Sequence, residues 1–206
     1  MKDAAEILRD GISELGLPYT EKKISAFLTY LAELKKWNKA YNLTGLKKDD
    51  EIIIKHFLDS LLFSKVFPAG ITSVADIGSG AGFPGIPVKI VYPLLKVFLV
   101  EPVQKKTIFL RHLCNRLGLL DIEIIDARIE DITGLKVDAA MTRALFNVTE
   151  FIKKAGRIIH ENGVLILNKG PKVEEELKGL DQKNISMSDF KLPFSSIVRH
   201  LVAVKI

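Results

Sequence analysis

The chain of 206 residues is 48% hydrophobic and 27% charged, so it can bury a sizeable core and does not have the composition of a disordered protein. No apolar run is long enough to span a membrane, no signal peptide is expected, and the single cysteine, Cys114, excludes an intramolecular disulfide and favours a reducing cytoplasm. The four histidines are too widely spaced for a metal site, whereas the net charge of +5 favours an anionic partner.

The first 70 residues predict an N-terminal helical extension. Apolar residues recur at helical spacing in three segments, and Thr20 is placed to cap the second of them. The third helix is expected over residues 50–67, before a turn rich in proline and glycine. Trp37 and Tyr41 lie one helical turn apart and could stack a base, but core packing is the better interpretation of both because an apolar stripe leads up to them on the same helix.

Beyond residue 70 the hydrophobic pattern changes, and short apolar runs alternate with amphipathic helices. This alternation predicts a mostly parallel sheet with helices on both faces. Strands are expected over residues 73–76, 96–101, 122–125, 139–141 and 164–168, and helices over residues 85–92, 105–117 and 149–160. Residues 185–190 and 197–206 predict an antiparallel strand pair at the sheet edge. We therefore expect residues 71–206 to form one domain that packs with the extension, residues 1–70, as a compact unit.

The strongest functional signal follows the first predicted strand. Asp76 ends that strand, and Gly78, Gly80, Gly82 and Gly85 come directly after it. Glycines so close together would weaken a helix or a strand, but they suit a sharp turn that lets a ligand approach the backbone. Between the carboxyl end of a first strand and a helix, such a loop is typical of a nucleotide-like cofactor site.

The spacing of the loop distinguishes between two classes of cofactor. Gly80, Gly82 and Gly85 satisfy the dinucleotide fingerprint, and Glu101 at the end of the second strand can hold ribose hydroxyls in either class. However, a dinucleotide loop usually begins directly after its strand. The D-x-G-x-G-x-G pattern from Asp76 instead resembles motif I of class I S-adenosylmethionine methyltransferases, whose Rossmann-like, seven-stranded sheet carries an antiparallel terminal strand. A NAD-dependent oxidoreductase and a non-catalytic RNA-binding module remain as alternatives.

Longer blocks of sequence resemble a single family, the RsmG (GidB) methyltransferases of bacterial small-subunit ribosomal RNA. The blocks are residues 37–44, 55–61, 76–87, 143–144, 169–170 and 199–202. The block at 76–87 is the most specific, because generic methyltransferases lack its F-P-G-I-P continuation. The resemblance covers essentially the whole chain in order. The chain departs from the family pattern at residues 145–147, where small residues are more usual, and in the turn at 101–103.

The resemblance implies methyl transfer from S-adenosylmethionine to N7 of a guanine in 16S ribosomal RNA, near the decoding centre of the small subunit. By position, the family's cofactor contacts fall on Gly78, Phe83, Ile129, Glu130 and Arg143. The loop argument adds Asp76, Gly80 and Glu101 as cofactor-binding candidates. We expect a cytoplasmic monomer that needs neither a metal nor a membrane.

Guanine N7 carries a lone pair and no proton, so the reaction needs alignment rather than a strong base or a covalent nucleophile. Consistent with this, Cys114 lies within a predicted helix, as expected of a buried hydrophobe. No residue is therefore assigned as a catalytic base. The candidates for a direct role in catalysis are Arg143, Lys169 and His56. Arg143 suits a carboxylate, a phosphate or guanine O6, and Asp76 suits the loop itself or the methionine amino group.

Basic residues near the predicted loop are candidates for contact with RNA. Arg128, Arg143, Lys169 and Lys105 are the RNA-binding candidates. His56 and Asp59, three residues apart on a helix, are expected either to line the mouth of the site or to make packing hydrogen bonds. Further lysine clusters occur at residues 22–23, 35–39, 47–48, 105–106 and 153–157.

Overall fold

The computed structural model describes residues 2–143, 145–170, 173–180 and 182–206. Seven strands form a single sheet in the order β3-β2-β1-β4-β5-β7-β6. The strands are β1 (Ser73–Ile77), β2 (Lys96–Val100), β3 (Ile122–Ile125), β4 (Val137–Arg143), β5 (Ile159–Lys169), β6 (Ile185–Lys191) and β7 (Val198–Lys205). Strands β1 to β5 are parallel, and β7, the last strand in the chain, is antiparallel to both β5 and β6. The predicted fold class is confirmed.

The strand order places the candidate site at one edge of the sheet. Strands β2 and β3 are added on one side of β1, and β4 and β5 are added on the other side. The direction of winding therefore reverses between β1 and β4, and the carboxyl ends of these two parallel strands lie side by side. Ligands of open α/β sheets bind at such switch points. The glycine loop follows β1, Arg143 ends β4 and Lys169 ends β5, so all three reach the same edge.

The N-terminal extension contains the predicted helices. Helix α1 (Ala4–Glu14) begins at a capping box formed by Asp3 and Glu6, and the Thr20 side chain caps α2 (Glu21–Tyr41) as expected. The third predicted helix is less regular than the sequence indicated. It consists of α3 (Asp49–Ile52), a π-helical segment (Ile53–Leu58), α4 (Asp59–Leu61) and a 3₁₀ segment (Leu62–Val66). Such π-helical segments occur frequently at functional sites.

The helices around the sheet are α5 (Gly85–Val91), α6 (Gln104–Leu117), α7 (Val148–Ala155) and α8 (Val173–Leu177). The helix predicted over residues 149–160 is wrong beyond Ala155. A 3₁₀ turn follows, and Ile159 begins β5 because it is buried and pairs with Val137 of β4. Strand β5 is therefore longer than predicted, with Asn162 in the left-handed conformation where the register shifts.

The extension packs directly on the sheet. One continuous hydrophobic core joins buried residues of the extension, such as Phe27 and Phe57, to Ile86 of α5 and Leu99 of β2. The ring of Trp37 packs 5.5 Å from Phe109, which agrees with a core role for this residue. The same prediction is wrong for Tyr41, which is exposed at the end of α2. The division into residues 1–70 and 71–206 stays a prediction. Within the described ranges, no helix is long and apolar enough to cross a membrane, and no group of three or more metal-ligating side chains occurs.

Candidate active site

The glycine loop presents its backbone at the carboxyl end of β1. The amides of Gly78 and Ser79 both donate to the carbonyl of Val100, at 2.8 and 3.1 Å, so the loop is tied to the end of β2. Gly78 has a φ of 77° and Gly80 a φ of 60°. A Cβ atom at Gly80 would meet only the carbonyl of Gly78, at 3.9 Å, so the surface there is open to a ligand.

Asp76 is fully buried beneath this loop and uses only half of its carboxylate. Its Oδ2 accepts a hydrogen bond from the amide of Gly85 at 2.8 Å, whereas Oδ1 is buried without a hydrogen-bond partner in the part of the chain that the structure describes. Burial raises the pKa of Asp76 to about 7. A buried acceptor without a partner is costly, so Oδ1 fits a site that receives a donor from a ligand.

Gly85 allows the loop to bring α5 close to the sheet. A Cβ atom at this position would overlap the Leu99 side chain and lie 2.9 Å from Asp76 Oδ2. Gly85 therefore belongs to the packing of α5 against the strands rather than to a pyrophosphate site.

Glu101 fixes the loop from the end of β2. It is 3% exposed, and its two carboxylate oxygens accept hydrogen bonds from the amides of Gly80 and Val103 at 2.8 and 3.0 Å. Lys106 lies 3.7 Å away and balances the charge. Each oxygen retains a further lone pair, so the predicted contact with ribose hydroxyls remains chemically open and stays a prediction.

An aromatic stack supports the other side of the loop. The ring of Phe83 stacks with the rings of Tyr30 and His56, whose centroids lie 5.3 and 4.5 Å from its own. The buried Tyr30 hydroxyl donates to the carbonyl of Ala81 at 2.5 Å, which ties α2 to the glycine loop. Tyr30 was not among the predicted site residues. The available signal was a tyrosine within the apolar stripe of α2, because a buried phenol needs a hydrogen-bond partner.

His56 is neutral in this setting. Its Nε2 shares a hydrogen bond of 2.6 Å with the hydroxyl of Thr44, and the same hydroxyl accepts a hydrogen bond from the amide of Leu46. Burial, followed by the positive charge of Arg143, lowers the pKa of His56 to about 3. The imidazole therefore contributes packing and a hydrogen bond, not positive charge.

A buried carboxylate joins the extension to the ends of three strands. Asp59 is 1% exposed, and it contacts Arg143 of β4 at 3.5 Å, Arg199 of β7 at 2.6 Å and Asn168 of β5 at 3.4 Å. Arg143 also donates to the carbonyl of Lys55 at 3.2 Å. Its guanidinium lies 5.2 Å from the centre of the Phe83 ring. Arg143 is thus held beside the glycine loop. Arg199 also belongs to this cluster, although it was predicted only as part of the family block at 199–202 and was assigned no role in the site.

Lys169 does not present a free charge. Its side chain is 10% exposed, and its Nζ donates to the carbonyl of Phe146 at 2.9 Å and pairs with Glu176 of α8 at 2.7 Å. Its predicted roles in catalysis and in phosphate binding would require it to leave both partners.

The remaining candidates lie outside this cluster of contacts. Ile129 is buried in the second core and its carbonyl accepts a hydrogen bond from Arg157, while Glu130 forms an ion pair with Lys154 at 2.6 Å. The Ile129 side chain is therefore not available to a ligand, although its backbone is not excluded. The two RNA-binding candidates Arg128 and Lys105 are exposed.

Leu145 lies directly over Gly78. A Cβ atom at Gly78 would overlap Leu145 Cδ2, and the Leu145 side chain is 54% exposed. The residue at which the sequence departs from the family pattern therefore sits against the loop backbone, at the mouth of the site.

Comparison with known proteins agrees with this geometry. The model of the GidB family, described as rRNA small subunit methyltransferase G, matches residues 23–202. The ribosomal RNA small subunit methyltransferase G of Acetivibrio thermocellus is 36% identical over 97% of this chain and 87% of its own.

Two solved structures show the same fold. A methyltransferase from Pyrococcus furiosus covers 86% of this chain and 96% of its own, with a TM-score of 0.62 and 15% identity. TYW2 from M. jannaschii, solved in complex with AdoMet, covers 71% of this chain and 73% of its own, with a TM-score of 0.54 and 17% identity. The family resemblance of the sequence blocks is confirmed, and the chain belongs to the rRNA small subunit methyltransferase G family.

Proposed function

We propose that this protein transfers a methyl group from S-adenosylmethionine to N7 of a guanine in 16S ribosomal RNA, near the decoding centre of the small subunit. The observation that carries the proposal is Asp76 Oδ1, which has no partner among the described residues and lies beneath a glycine loop whose backbone is open at Gly80, in a chain of this family. Family membership argues against the oxidoreductase alternative. The presence of Asp76, Gly78, Glu101 and Arg143 argues against a non-catalytic module.

The residues at the sheet edge fit S-adenosylmethionine. Asp76 Oδ1 would accept a hydrogen bond from the amino group of the methionine portion. The backbone at Gly78 and Gly80 would lie against the methionine portion, and Glu101 would hold the ribose hydroxyls. Phe83, Ile129, Glu130 and Arg143 are the further contacts that the family resemblance implies. When bound, S-adenosylmethionine supplies an electrophilic methyl group, which guanine N7 can attack without a base.

The protein's own residues act by alignment and by exclusion of water. Asp59 and the Lys55 carbonyl hold Arg143 over the Phe83 ring, so that its remaining donors can bind guanine O6 or a phosphate. The stack of the buried Phe83 and the half-buried, neutral His56 forms a wall behind the loop. A fixed geometry of this kind can supply most of the rate enhancement for a reaction that needs no proton transfer.

We also propose that the protein acts in the cytoplasm as a monomer. Its proposed substrate belongs to the small ribosomal subunit, which is a cytoplasmic particle. Arg128 and Lys105 are exposed and suit contacts with RNA phosphates, whereas Lys169 would contribute only after leaving Glu176.

The proposal is tested with purified protein and small subunits from cells that lack this methyltransferase. With labelled S-adenosylmethionine we expect one methyl group per subunit, located at guanine N7 by borohydride and aniline cleavage of the 16S RNA. The proposed function would be refuted if no methyl group were transferred either to the subunit or to free 16S RNA. Transfer to another atom or to another RNA would correct the substrate.

Cofactor affinity is expected to rise with pH because Asp76 must ionise to accept an ammonium group. Burial raises its pKa to about 7, so below that pH binding has to displace a proton. Calorimetric titration with S-adenosylhomocysteine should show affinity rising by up to about tenfold per pH unit from about pH 5.5 to about pH 7. Asp76→Asn should bind more weakly and without this slope. Asp189→Asn, on exposed β6, should retain it, and a flat profile in the unmodified protein would contradict this role.

The Tyr30 hydroxyl is expected to support cofactor binding indirectly, through its hydrogen bond to the glycine loop. Tyr30→Phe leaves the carbonyl of Ala81 without its donor, at a cost of about 1–3 kcal/mol for a buried acceptor. We expect affinity for S-adenosylhomocysteine to fall about tenfold, which corresponds to about 1.4 kcal/mol. Tyr41→Phe, in the same helix but half-exposed, should change nothing. A lower melting temperature with unchanged affinity would make the hydrogen bond purely structural.

A further inference from the structure

A cavity opens in the N-terminal extension, between the end of α2 and the loop that leads into α3. Its volume is about 620 Å³, and Lys35, Lys39 and Lys47 line it. Buried Leu34 and Ile52 form part of its apolar floor. We refer to it as the extension cavity.

The extension cavity unites two lysine clusters that are separate in the sequence. Lys35 and Lys39 come from α2, whereas Lys47 comes from the loop before α3. Across the described ranges, neither Lys39 nor Lys47 takes part in an ion pair, and both are exposed. Lys35 pairs with Asp49, but both side chains are nearly half exposed, so water screens the pair and a phosphate can compete for the lysine. The cavity therefore carries uncompensated positive charge.

The rim of the cavity is held in place before any ligand binds. The Asn38 side chain donates to the carbonyl of Thr44 at 2.9 Å and accepts the Thr44 amide at 2.8 Å. These two bonds fix the loop against α2. A preformed rim of this kind lowers the cost of ordering when a ligand binds.

A chain of side-chain contacts links the cavity to the candidate active site. Thr44 lines the cavity and bonds His56 at 2.6 Å, and His56 stacks on Phe83 of the glycine loop. A polymer that occupies the cavity would therefore lie beside the Phe83–His56 wall of the candidate site.

We propose that the extension cavity binds the sugar-phosphate backbone of a single-stranded RNA segment next to the target guanine. The lysines match phosphates, and the apolar floor can receive a ribose or a base face. This inference rests on the proposed function, because it takes the substrate to be RNA. It assigns the extension a role in substrate binding that the glycine loop and Arg143 do not provide.

The double variant Lys39→Gln/Lys47→Gln tests the proposal. Lys96→Gln/Lys205→Gln is the matched control, because it removes the same charge where β2 begins and β7 ends, at the opposite sheet edge. Binding of each protein to small subunits and to protein-free 16S RNA is measured by filter binding over a range of salt concentrations. Loss of two phosphate contacts to a single strand should reduce the slope of log affinity against log salt by about 1.4.

We expect the cavity variant to bind both RNA substrates about tenfold more weakly, with unchanged S-adenosylhomocysteine affinity and a higher KM at similar kcat. Equal losses in the control variant, or an unchanged salt slope in the cavity variant, would overturn the proposal. A loss confined to the intact subunit would point to a ribosomal protein and would also overturn it. Methyl transfer by the unmodified protein tests the proposed function separately, so the two can fail independently.

Discussion

Replacement of Gly78 by valine should abolish binding of S-adenosylmethionine. Gly78 has a φ of 77°, a conformation that β-branched residues rarely adopt, and a Cβ atom there would overlap Leu145. Both the loop backbone and the space above it would change. We expect affinity for S-adenosylhomocysteine to fall at least about 100-fold, or about 2.7 kcal/mol, in a calorimetric titration.

Gly70 provides a matched control for the backbone strain. It also has a φ of 77°, but a Cβ atom there would meet nothing within 4 Å, and Gly70 precedes β1 at the opposite end of the strand. Gly70→Val should therefore carry a similar strain, on the order of 1 to 3 kcal/mol in unfolding free energy, and keep its affinity. Equal losses of affinity in both variants would mean that strain alone explains the effect, and normal binding by Gly78→Val would refute the loop assignment.

The parts of the site that the sequence predicted are those that are local in the chain. The strand β1, the carboxylate of Asp76 and the glycine loop occupy one short stretch, so composition and spacing were enough to indicate a cofactor site. The end of the helix α7 was predicted wrongly because Ile159 is placed by its pairing with Val137 of β4. Helical periodicity does not contain that information.

The supporting contacts could not be predicted, because their partners are distant in the sequence. The Tyr30 hydroxyl bonds a carbonyl 51 residues away, and the ion pair of Arg199 with Asp59 spans 140 residues. Lys169 shows a second limit of a local pattern. A lysine at the end of a strand resembles a phosphate ligand, yet in the folded chain Glu176 of α8 already compensates its charge.

Loss of the Asp59 charge should damage both stability and methyl transfer. Asp59→Asn keeps the shape of the side chain but leaves Arg143 and Arg199 facing each other without a counter-charge. Breaking a buried ion pair on one side costs about 3–5 kcal/mol, and we expect the lower end of that range in urea unfolding because both arginines reach solvent. Arg143 also loses the contact that fixes its position, so kcat should fall about 100-fold.

Two further variants separate the positioning role of Asp59 from its structural role. Asp189→Asn removes a carboxylate that is itself 55% exposed from its pair with His200, and it should cost at most about 1 kcal/mol without affecting kcat. Arg199→Gln keeps Asp59 paired with Arg143, so it provides a milder test if Asp59→Asn does not fold. Because Arg143 is also an implied cofactor contact, folded Asp59→Asn should lose some affinity for S-adenosylhomocysteine, but less than Gly78→Val, because Asp59 itself lies with the strand ends rather than in the glycine loop. Reduced stability with a normal kcat per folded molecule would show that the cluster only holds the extension to the sheet, and that Arg143 does not depend on it for alignment.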